Sequence, residues 1–219
     1  HVSKDYSNPG TDHFVREVGW REFSYHLMAN FPFLANKPLR ENFEQFPWRD
    51  SDEDYEAWTK GMTGYPIVDA GMRELYATGW MHNRVRMIVS SFLVKHLLID
   101  WRKGERWFFD TLLDGDFCSN NAGWQWVSGG GADAAPYYRI FNPILQGKKF
   151  DTGGRYVRKW VPEIADIPNA NLHAPWELSE GQLQLFGVKL GETYPEPIVN
   201  HEFARKRALE SFDQITAKK

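Results

Sequence analysis

The sequence contains a single cysteine, Cys118, among its 219 residues. No disulfide can therefore form within one chain, and a reducing compartment suits this composition. The sequence also lacks any apolar run approaching the roughly 20 residues of a membrane span, and no signal peptide is visible. These absences predict a cytoplasmic globular protein with no membrane partner.

Motifs for metal binding and hydrolysis are lacking as well. No paired-cysteine or H-E-x-x-H zinc pattern occurs. A calcium loop starting at Asp114 fails because Cys118 and Ser119 occupy its fifth and sixth positions. The glycines at 129–131 are followed by no Lys and Ser/Thr pair, so they predict a tight turn and not a phosphate loop. We therefore expect no metal site and no hydrolytic triad.

Positive charge is not in excess, since the formal net charge is −3. This argues against a broad, sequence-independent coat on DNA, although a local basic patch can coexist with an acidic total. Aromatic residues, in contrast, are abundant at 16%, and ten of them are Trp. A large helical core and stacking on flat ligands both remain open as explanations.

The sequence contains no convincing run of strand-like alternation, whereas helical periodicity is strong, so we expect an all-α fold. Thr11 or Asp12 could cap the first helix, and Pro66 suits the first turn of another. Helices are predicted over residues 11–30, 52–61, 66–79, 81–98, 104–114 and 201–218, with a further helix or turn starting at Asn142. Proline, glycine or asparagine enrichment predicts irregular structure over residues 36–51, 114–136 and 162–197.

The first predicted helix carries a mixed polar and aromatic face. Glu17, Trp20 and Ser24 are spaced i, i+3, i+7 and therefore share one side. A carboxylate beside an indole suits a flat ligand with an amide edge. The alternative is a surface glutamate next to a core tryptophan.

The helix predicted over residues 81–98 has two contrasting faces. One is apolar and the other combines a single charge, a thioether and short polar groups, which is unlike an ordinary solvated face. This pattern indicates either the wall of a pocket or a helix packed on both sides. The apolar face holds Val85, Ile88, Val89 and Phe92, and the opposite face holds Asn83, Arg86, Met87 and Ser90.

Two close carboxylates, Asp114 and Asp116, follow further along the chain. They could bind a metal, bind ligand N–H and hydroxyl groups, or cap a helix, and Arg86 is a plausible partner for one of them. Trp124 and Trp126 come next. In an extended segment their indoles would point opposite ways, one towards the core and one towards a cleft.

Five segments together resemble the photolyase/cryptochrome family, and most closely the class I cyclobutane pyrimidine dimer photolyases of microbes. The resemblance covers nearly the whole chain. The segments are WREFSYHL at 20–27, TGYPIVDAGMREL at 63–75, TGWMHNRVRMIVSSFLVKHLLIDW at 78–101, DGDFCSNNAGWQW at 114–126 and RIFNPILQGKKFD at 139–151.

The resemblance implies that residues 1–219 are the C-terminal portion of an all-helical FAD-binding domain, without the family's N-terminal α/β antenna domain. It implies light-driven repair of DNA, in which an electron passes from reduced FAD to a pyrimidine dimer flipped out of the duplex. The second chromophore of the family would belong to the antenna domain. The family's phosphate-binding segment also precedes this sequence, so we expect the chain to work with its N-terminal portion, fused or docked.

The resemblance also implies roles for individual residues. FAD contacts are expected from Phe14, Arg21, Arg86, Asp114, Asp116 and Asn120. Contacts to the dimer or to DNA are expected from Glu17, Trp20, Asn83, Arg84, Met87, Trp126 and Gln146. Of these, Glu17, Asn83, Met87 and Asn120 are the candidate catalytic residues. An electron relay to the surface is expected from Trp48, Trp101 and Trp124.

A cryptochrome-type photoreceptor without repair activity is the alternative within the same fold. Plant-type cryptochromes tend to carry Asp at the position of Asn120 and lack the full dimer-binding set, so the sequence favours repair. Repair of dimers linked between C6 and C4 would require a histidine pair in the pocket, but only His82 stands at that site, followed by Asn83. A structural fragment without activity is the third hypothesis.

Overall fold

The computed structural model describes residues 9–135 and 137–217, and over these residues the protein is helical. In the described part of the chain, ten α-helices follow one another, and one π-helical turn, Phe92–His96, extends the fourth. Within the described residues only two isolated β-bridges occur. The helices are α1 (Pro9–Asn30), α2 (Asp52–Thr59), α3 (Pro66–Thr78), α4 (Asn83–Ser91), α5 (Trp101–Thr111), α6 (Phe117–Ser128), α7 (Pro143–Phe150), α8 (Arg155–Trp160), α9 (Glu180–Leu185) and α10 (His201–Thr216).

The all-α prediction is confirmed, and most predicted helices are present with shifted ends. The helix predicted over 81–98 begins two residues later, because the ring of His82 accepts a hydrogen bond from the Arg84 amide and caps α4. The helix predicted over 104–114 begins at Trp101, where the Asp100 carboxylate accepts from the Arg102 amide at 2.9 Å. Residues 136 and 218, which bound two of the predicted segments, lie outside the described residues.

The prediction of irregular structure over 114–136 was wrong for half of that segment. Residues Phe117–Ser128 form α6, which begins where Asp116 accepts a hydrogen bond from the Ser119 amide at 2.7 Å. It ends at Gly129, whose positive φ of 98° belongs to the left-handed region that glycine favours. Buried packing of α6 against α5 and α1 outweighs the weak helix propensity of its Asn and Gly residues.

Short helical elements also replace parts of the other two irregular predictions. Glu41–Gln45 forms a 3-10 helix between residues 36 and 51. Within 162–197, Pro162–Ile164 and Pro175–Glu177 are 3-10 turns, and α9 starts with a reciprocal capping box between Ser179 and Gln182. Each of these two 3-10 turns begins with proline, whose missing N–H would have no partner within a helix at that position.

The core forms around α3, α4, the π-helical turn, α5 and α6. Trp58 is fully buried, its indole N–H donates to the Val89 carbonyl at 3.0 Å, and its ring meets those of Phe108 and Trp124 at 6.2 Å. Trp20, in contrast, is 49% exposed. The core explanation for the abundance of tryptophan therefore applies to Trp58, and stacking on a flat ligand stays a prediction for Trp20.

A pair of buried imidazoles ties α10 to the π-helical turn. Nε2 of His96 lies 2.8 Å from Nδ1 of His201. Burial, followed by the positive charge that His201 can carry, lowers the pKa of His96 to about 3, and burial also lowers the pKa of His201. An unfolded histidine titrates near pH 6.5, so the unfolded chain binds protons more readily than the folded one. The stability that the neutral pair contributes is complete above the unfolded pKa and is lost as the pH falls.

We therefore expect the free energy of unfolding to decrease as the pH is lowered from about 7.5 to about 5. Urea titrations across this range measure the slope. His201→Gln, which keeps a side chain that can donate and accept, should flatten it, whereas His26→Gln on the exposed part of α1 should not. An unchanged slope in His201→Gln would show that the pair does not carry the pH dependence.

Candidate functional site

A cavity of about 960 Å³ opens between α1, α4 and α6. This volume lies at the upper end of the range for small-molecule and cofactor pockets. Its wall combines aromatic, aliphatic and polar side chains from the three helices and from the loop between α5 and α6. The contributing faces of α1 and α4 are those singled out in the sequence, whereas α6 lies in a segment that was predicted to be irregular.

The polar and aromatic face of α1 lies along this cavity. Glu17, Trp20 and Ser24 all line it, as does Arg21. Ser24 is buried and donates to the Trp20 carbonyl at 2.8 Å, so its hydroxyl is satisfied within the helix. Trp20 meets Phe23 edge-on at 5.8 Å and presents about half of its surface. A flat ligand in the cavity can therefore reach an indole face that the fold leaves open.

Helix α4 divides the core from the cavity. Its apolar face is buried, and the opposite face lines the cavity, so the interpretation of this helix as a pocket wall is confirmed. The core side consists of Val85, Ile88 and Val89, with Phe92 in the following turn. The cavity side consists of Asn83, Arg86, Met87 and Ser90, joined by Arg84.

The sequence-predicted pair between Arg86 and Asp114 is present. Nη2 of Arg86 donates to both carboxylate oxygens of Asp114, at 3.0 and 2.9 Å. Nε of Arg86 donates to the Met81 carbonyl at 2.7 Å, which fixes the guanidinium. The carboxylate is half-exposed and keeps acceptor capacity towards the cavity.

Asp116 both caps α6 and receives a hydrogen bond from α1. The Tyr25 hydroxyl donates to Oδ2 of Asp116 at 2.6 Å, while the Ser119 amide donates to Oδ1. Partial burial opposes ionisation of this carboxyl, but the hydrogen bonds from Tyr25 and Ser119 outweigh it and lower the pKa of Asp116. The hydrogen bond to Asp116 in turn raises the pKa of Tyr25. Of the roles that the sequence left open for the two carboxylates (metal binding, ligand binding and helix capping), the structure shows capping by Asp116.

The floor of the cavity is held by a buried amide network that sequence analysis missed. Nδ2 of Asn120 donates to the Glu105 carbonyl at 2.8 Å, and Asn121 donates to Oε1 of Glu105 at 2.8 Å. Gln125 bridges to the Leu34 carbonyl at 2.9 Å and accepts from the Leu39 amide at 3.0 Å. The i, i+4 spacing of Asn121 and Gln125 is a usable signal, but only if the segment is taken as a helix.

The two indoles of α6 diverge, as expected, although the segment is helical and not extended. Trp124 is buried and meets Phe108 at 5.0 Å, with an edge on the cavity. Trp126 lines the cavity more openly, and its indole N–H donates to the Asp133 carbonyl at 3.0 Å. Residues two apart on a helix differ by about 200°, which separates them as a strand would.

Four predicted site residues do not line the cavity. Phe14 is 57% exposed on α1, and Gln146 has a buried Oε1 without a partner among the described residues. Trp101 is buried in the core, and Trp48 packs at 4.3 Å against Phe46. The family-implied contacts of Phe14 and Gln146, and the relay through Trp48 and Trp101, stay predictions.

The pattern of the FAD binding domain of DNA photolyase matches residues 14–214. The chain belongs to the photolyase/cryptochrome family. A deoxyribodipyrimidine photo-lyase from Agrobacterium fabrum is 56% identical over 214 residues, which cover 98% of this chain and 45% of the relative. The photo-lyase from Escherichia coli is 49% identical over 201 residues, covering 91% and 41%. Cryptochrome-1 from Arabidopsis thaliana is 45% identical over 202 residues, covering 92% and 30%.

The solved structure of a class III photolyase from Agrobacterium tumefaciens superposes with a TM-score of 0.93 at 55% identity, covering 98% of this chain and 45% of that one. The recognised family and the helical FAD-binding fold are thereby confirmed. The narrower likeness to class I enzymes stays a prediction. The chain spans less than half the length of these photolyase relatives.

The described residues suit a FAD-type ligand in volume and in chemistry. A cavity of this size with an arginine-held carboxylate, a second carboxylate and a floor amide offers acceptors and donors to a large polar cofactor. Among residues 9–135 and 137–217, no group of three or more metal-ligating side chains is found. None of the helices in the described part of the chain is long and apolar enough to span a membrane.

Proposed function

We propose that this chain forms the catalytic, FAD-binding part of an enzyme that uses light to split cyclobutane pyrimidine dimers in DNA. The observation that carries the proposal is that two groups of side chains meet on one cavity. One group, with carboxylate and amide side chains, consists of Asp114, Asp116 and Asn120. Glu17, Trp20, Asn83, Met87 and Trp126 form the other group.

Asp114, Asp116 and Asn120 would hold the cofactor, with Arg86 and Arg21 beside them. Arg86 donates to both carboxylate oxygens of Asp114 and so orients this carboxylate as an acceptor for ligand N–H groups. Asn120 donates one side-chain N–H to the Glu105 carbonyl, which leaves its second N–H and its carbonyl oxygen for the ligand. FAD, when bound, supplies the light-driven one-electron chemistry.

Glu17, Trp20 and Trp126 would hold the dimer, with Asn83 and Met87 shaping the cavity beside it. Base–aromatic stacking contributes about 1–3 kcal/mol per base, and the open face of Trp20 suits it. Glu17 accepts hydrogen bonds from base edges or shares a proton with them. Arg84, whose guanidinium lies 4.6 Å from the centre of the Phe150 ring, would contact the DNA backbone.

The relay proposed for Trp48, Trp101 and Trp124 serves to reduce an oxidised cofactor. Trp124 combines burial with an edge on the cavity, so it is the member next to the cofactor site. Antenna light harvesting would belong to the longer protein. We propose that the N-terminal portion completes cofactor binding, and that the assembled protein acts on DNA in the cytoplasm.

A photoreceptor role without repair is the second candidate, because plant cryptochrome-1 is 45% identical over 92% of this chain. The deciding experiment measures flavin absorbance and light-dependent loss of dimers for the chain alone and for the chain joined to its N-terminal portion. We expect flavin retention and dimer repair in the joined protein and their loss in Asp114→Ala. Asp213→Ala, on exposed α10, is the matched control. Flavin retention without repair would instead favour the photoreceptor.

Asn120→Asp should change which redox state of the bound flavin accumulates under blue light. A carboxylate in place of the amide removes both N–H donors and adds negative charge beside a cofactor that gains charge on reduction. Absorbance spectra during illumination measure this, with Asn36→Asp on an exposed turn as the control. Identical photoreduction courses in the variant and the parent would contradict the role of Asn120.

A further inference from the structure

A second, much smaller cavity shares a wall with the large one. Trp126 lines both. The small cavity has a volume of about 20 Å³, which is room for one water-sized occupant. Its other walls come from the π-helical turn, the segment 137–141 and α10.

A buried ammonium group lies at this cavity. Lys95 is only 4% exposed. Its Nζ donates to the Arg139 carbonyl and lies 4.5 Å from the centre of the Tyr138 ring. An ammonium carries three donors, and the Arg139 carbonyl is the one acceptor that the described residues offer it. A buried cation needs further partners, because its hydration has been removed.

A second unsatisfied donor lies on the same wall. The Tyr138 hydroxyl is buried and has no partner within the described part of the chain. The ring cannot turn away from this position without losing its parallel stacking on Phe212, at 4.6 Å and 4°. A small acceptor in the cavity would satisfy Tyr138 and Lys95 together.

The electrostatic surroundings of the cavity are positive. Arg40 and Arg139 line it with Lys95, and no carboxylate is found among the described lining residues. Burial, followed by the Arg139 charge, lowers the pKa of Lys95 to about 7. The Lys95 and Arg207 charges also contribute to the low pKa of the neighbouring His96. Arg40 and Arg139 are exposed and Lys95 is buried, and positive charge around a small cavity attracts an anion.

We propose that this small cavity is a binding site for a monatomic anion, chloride in the cell, held between the Lys95 ammonium and the Tyr138 hydroxyl. The anion supplies the acceptor that both donors lack and neutralises the buried charge. Polyatomic anions are excluded by size. Because Trp126 forms the common wall, occupancy of this site stabilises the position of an indole in the large cavity.

The test compares thermal unfolding in sodium chloride and in sodium gluconate at equal ionic strength, since gluconate is too large for the cavity. We expect the parent chain to unfold roughly 2–4 °C higher in chloride, the scale of a ligand-linked shift for a protein of this size. Lys206→Met, on the exposed side of α10, should keep the difference. Lys95→Met should lose it, and Tyr138→Phe should reduce it.

Crystals grown with sodium bromide give an answer that does not depend on the stability of any variant. An anomalous bromide peak between Nζ of Lys95 and the Tyr138 hydroxyl would support the site. A water molecule at that position, without anomalous signal and with equal unfolding temperatures in the two salts, would overturn it.

Discussion

Replacing Trp20 by alanine should weaken binding of dimer-containing DNA by about 5- to 150-fold, the equivalent of ~1–3 kcal/mol of stacking. The expected loss is this large because the Trp20 ring lies on the cavity with about half of its surface open. Undamaged DNA, which presents no flipped base to the cavity, should bind almost as before. Fluorescence anisotropy with matched damaged and undamaged duplexes measures both affinities.

Tyr76→Ala is the matched control, since Tyr76 is a more exposed aromatic residue on α3 and does not line the cavity. It should leave both affinities unchanged. Equal losses on damaged and undamaged DNA in Trp20→Ala would show that the ring supports general DNA contact or folding and does not recognise the dimer.

Gly104→Ala should destabilise the protein by at least ~1–3 kcal/mol, the usual cost of overpacking a core. A Cβ at this position would overlap Cη2 of Trp124 and would lie 2.6 Å from Cδ2 of Leu93. The rigid indole is buried and packs against Trp58 and Phe108, so the added methyl group forces the indole or α5 to move. Urea or thermal unfolding measures the loss, and the shifted indole should alter tryptophan fluorescence.

Gly19→Ala, also a glycine-to-alanine change, should raise the stability of the protein and not lower it. Nothing lies within 4 Å of a Cβ at Gly19, in the exposed interior of α1. Helix propensity alone should then stabilise the chain by about 0.5–1 kcal/mol.

In a Trp124→Leu background the cost of Gly104→Ala should shrink, because the two positions share one contact. If Gly104→Ala destabilised the Trp124→Leu variant as much as it destabilises the parent, the strain would not come from the contact with Trp124.

The faces of α1 and α4 show how much of the site follows from helical periodicity. Residues at i, i+3 and i+7 on a regular helix must share a side, so the spacing of Glu17, Trp20 and Ser24 is enough to group them. The same geometry separates Asn83 and Met87 from the core side of α4. The pairing of Arg86 with Asp114 rested on opposite charge and on the family motif, and the structure contains it.

Helix α6 shows where sequence reasoning failed. Asn120, Asn121 and Gly123 lower helix propensity, and propensity is a weak guide when tertiary contacts compensate. Here the side-chain amides of Asn121 and Gln125 donate hydrogen bonds to Glu105 and to the carbonyls of Leu34 and Lys37, which lie far away in the sequence. No local pattern predicts a partner that lies 16 to 91 residues away in the sequence.

The sequence by itself determined the helical class, the family and the composition of the cavity faces, because periodicity and motif spacing are local properties of the chain. Tertiary structure alone decided which donors and acceptors meet: Tyr25 with Asp116, Asn120 with the Glu105 carbonyl, and His96 with His201. It also decided that Lys95 is buried over the ring of Tyr138, whose hydroxyl has no partner among the described residues. Burial and long-range pairing arise only when helices pack, and packing sets the pKa values and the unsatisfied donors from which function is inferred.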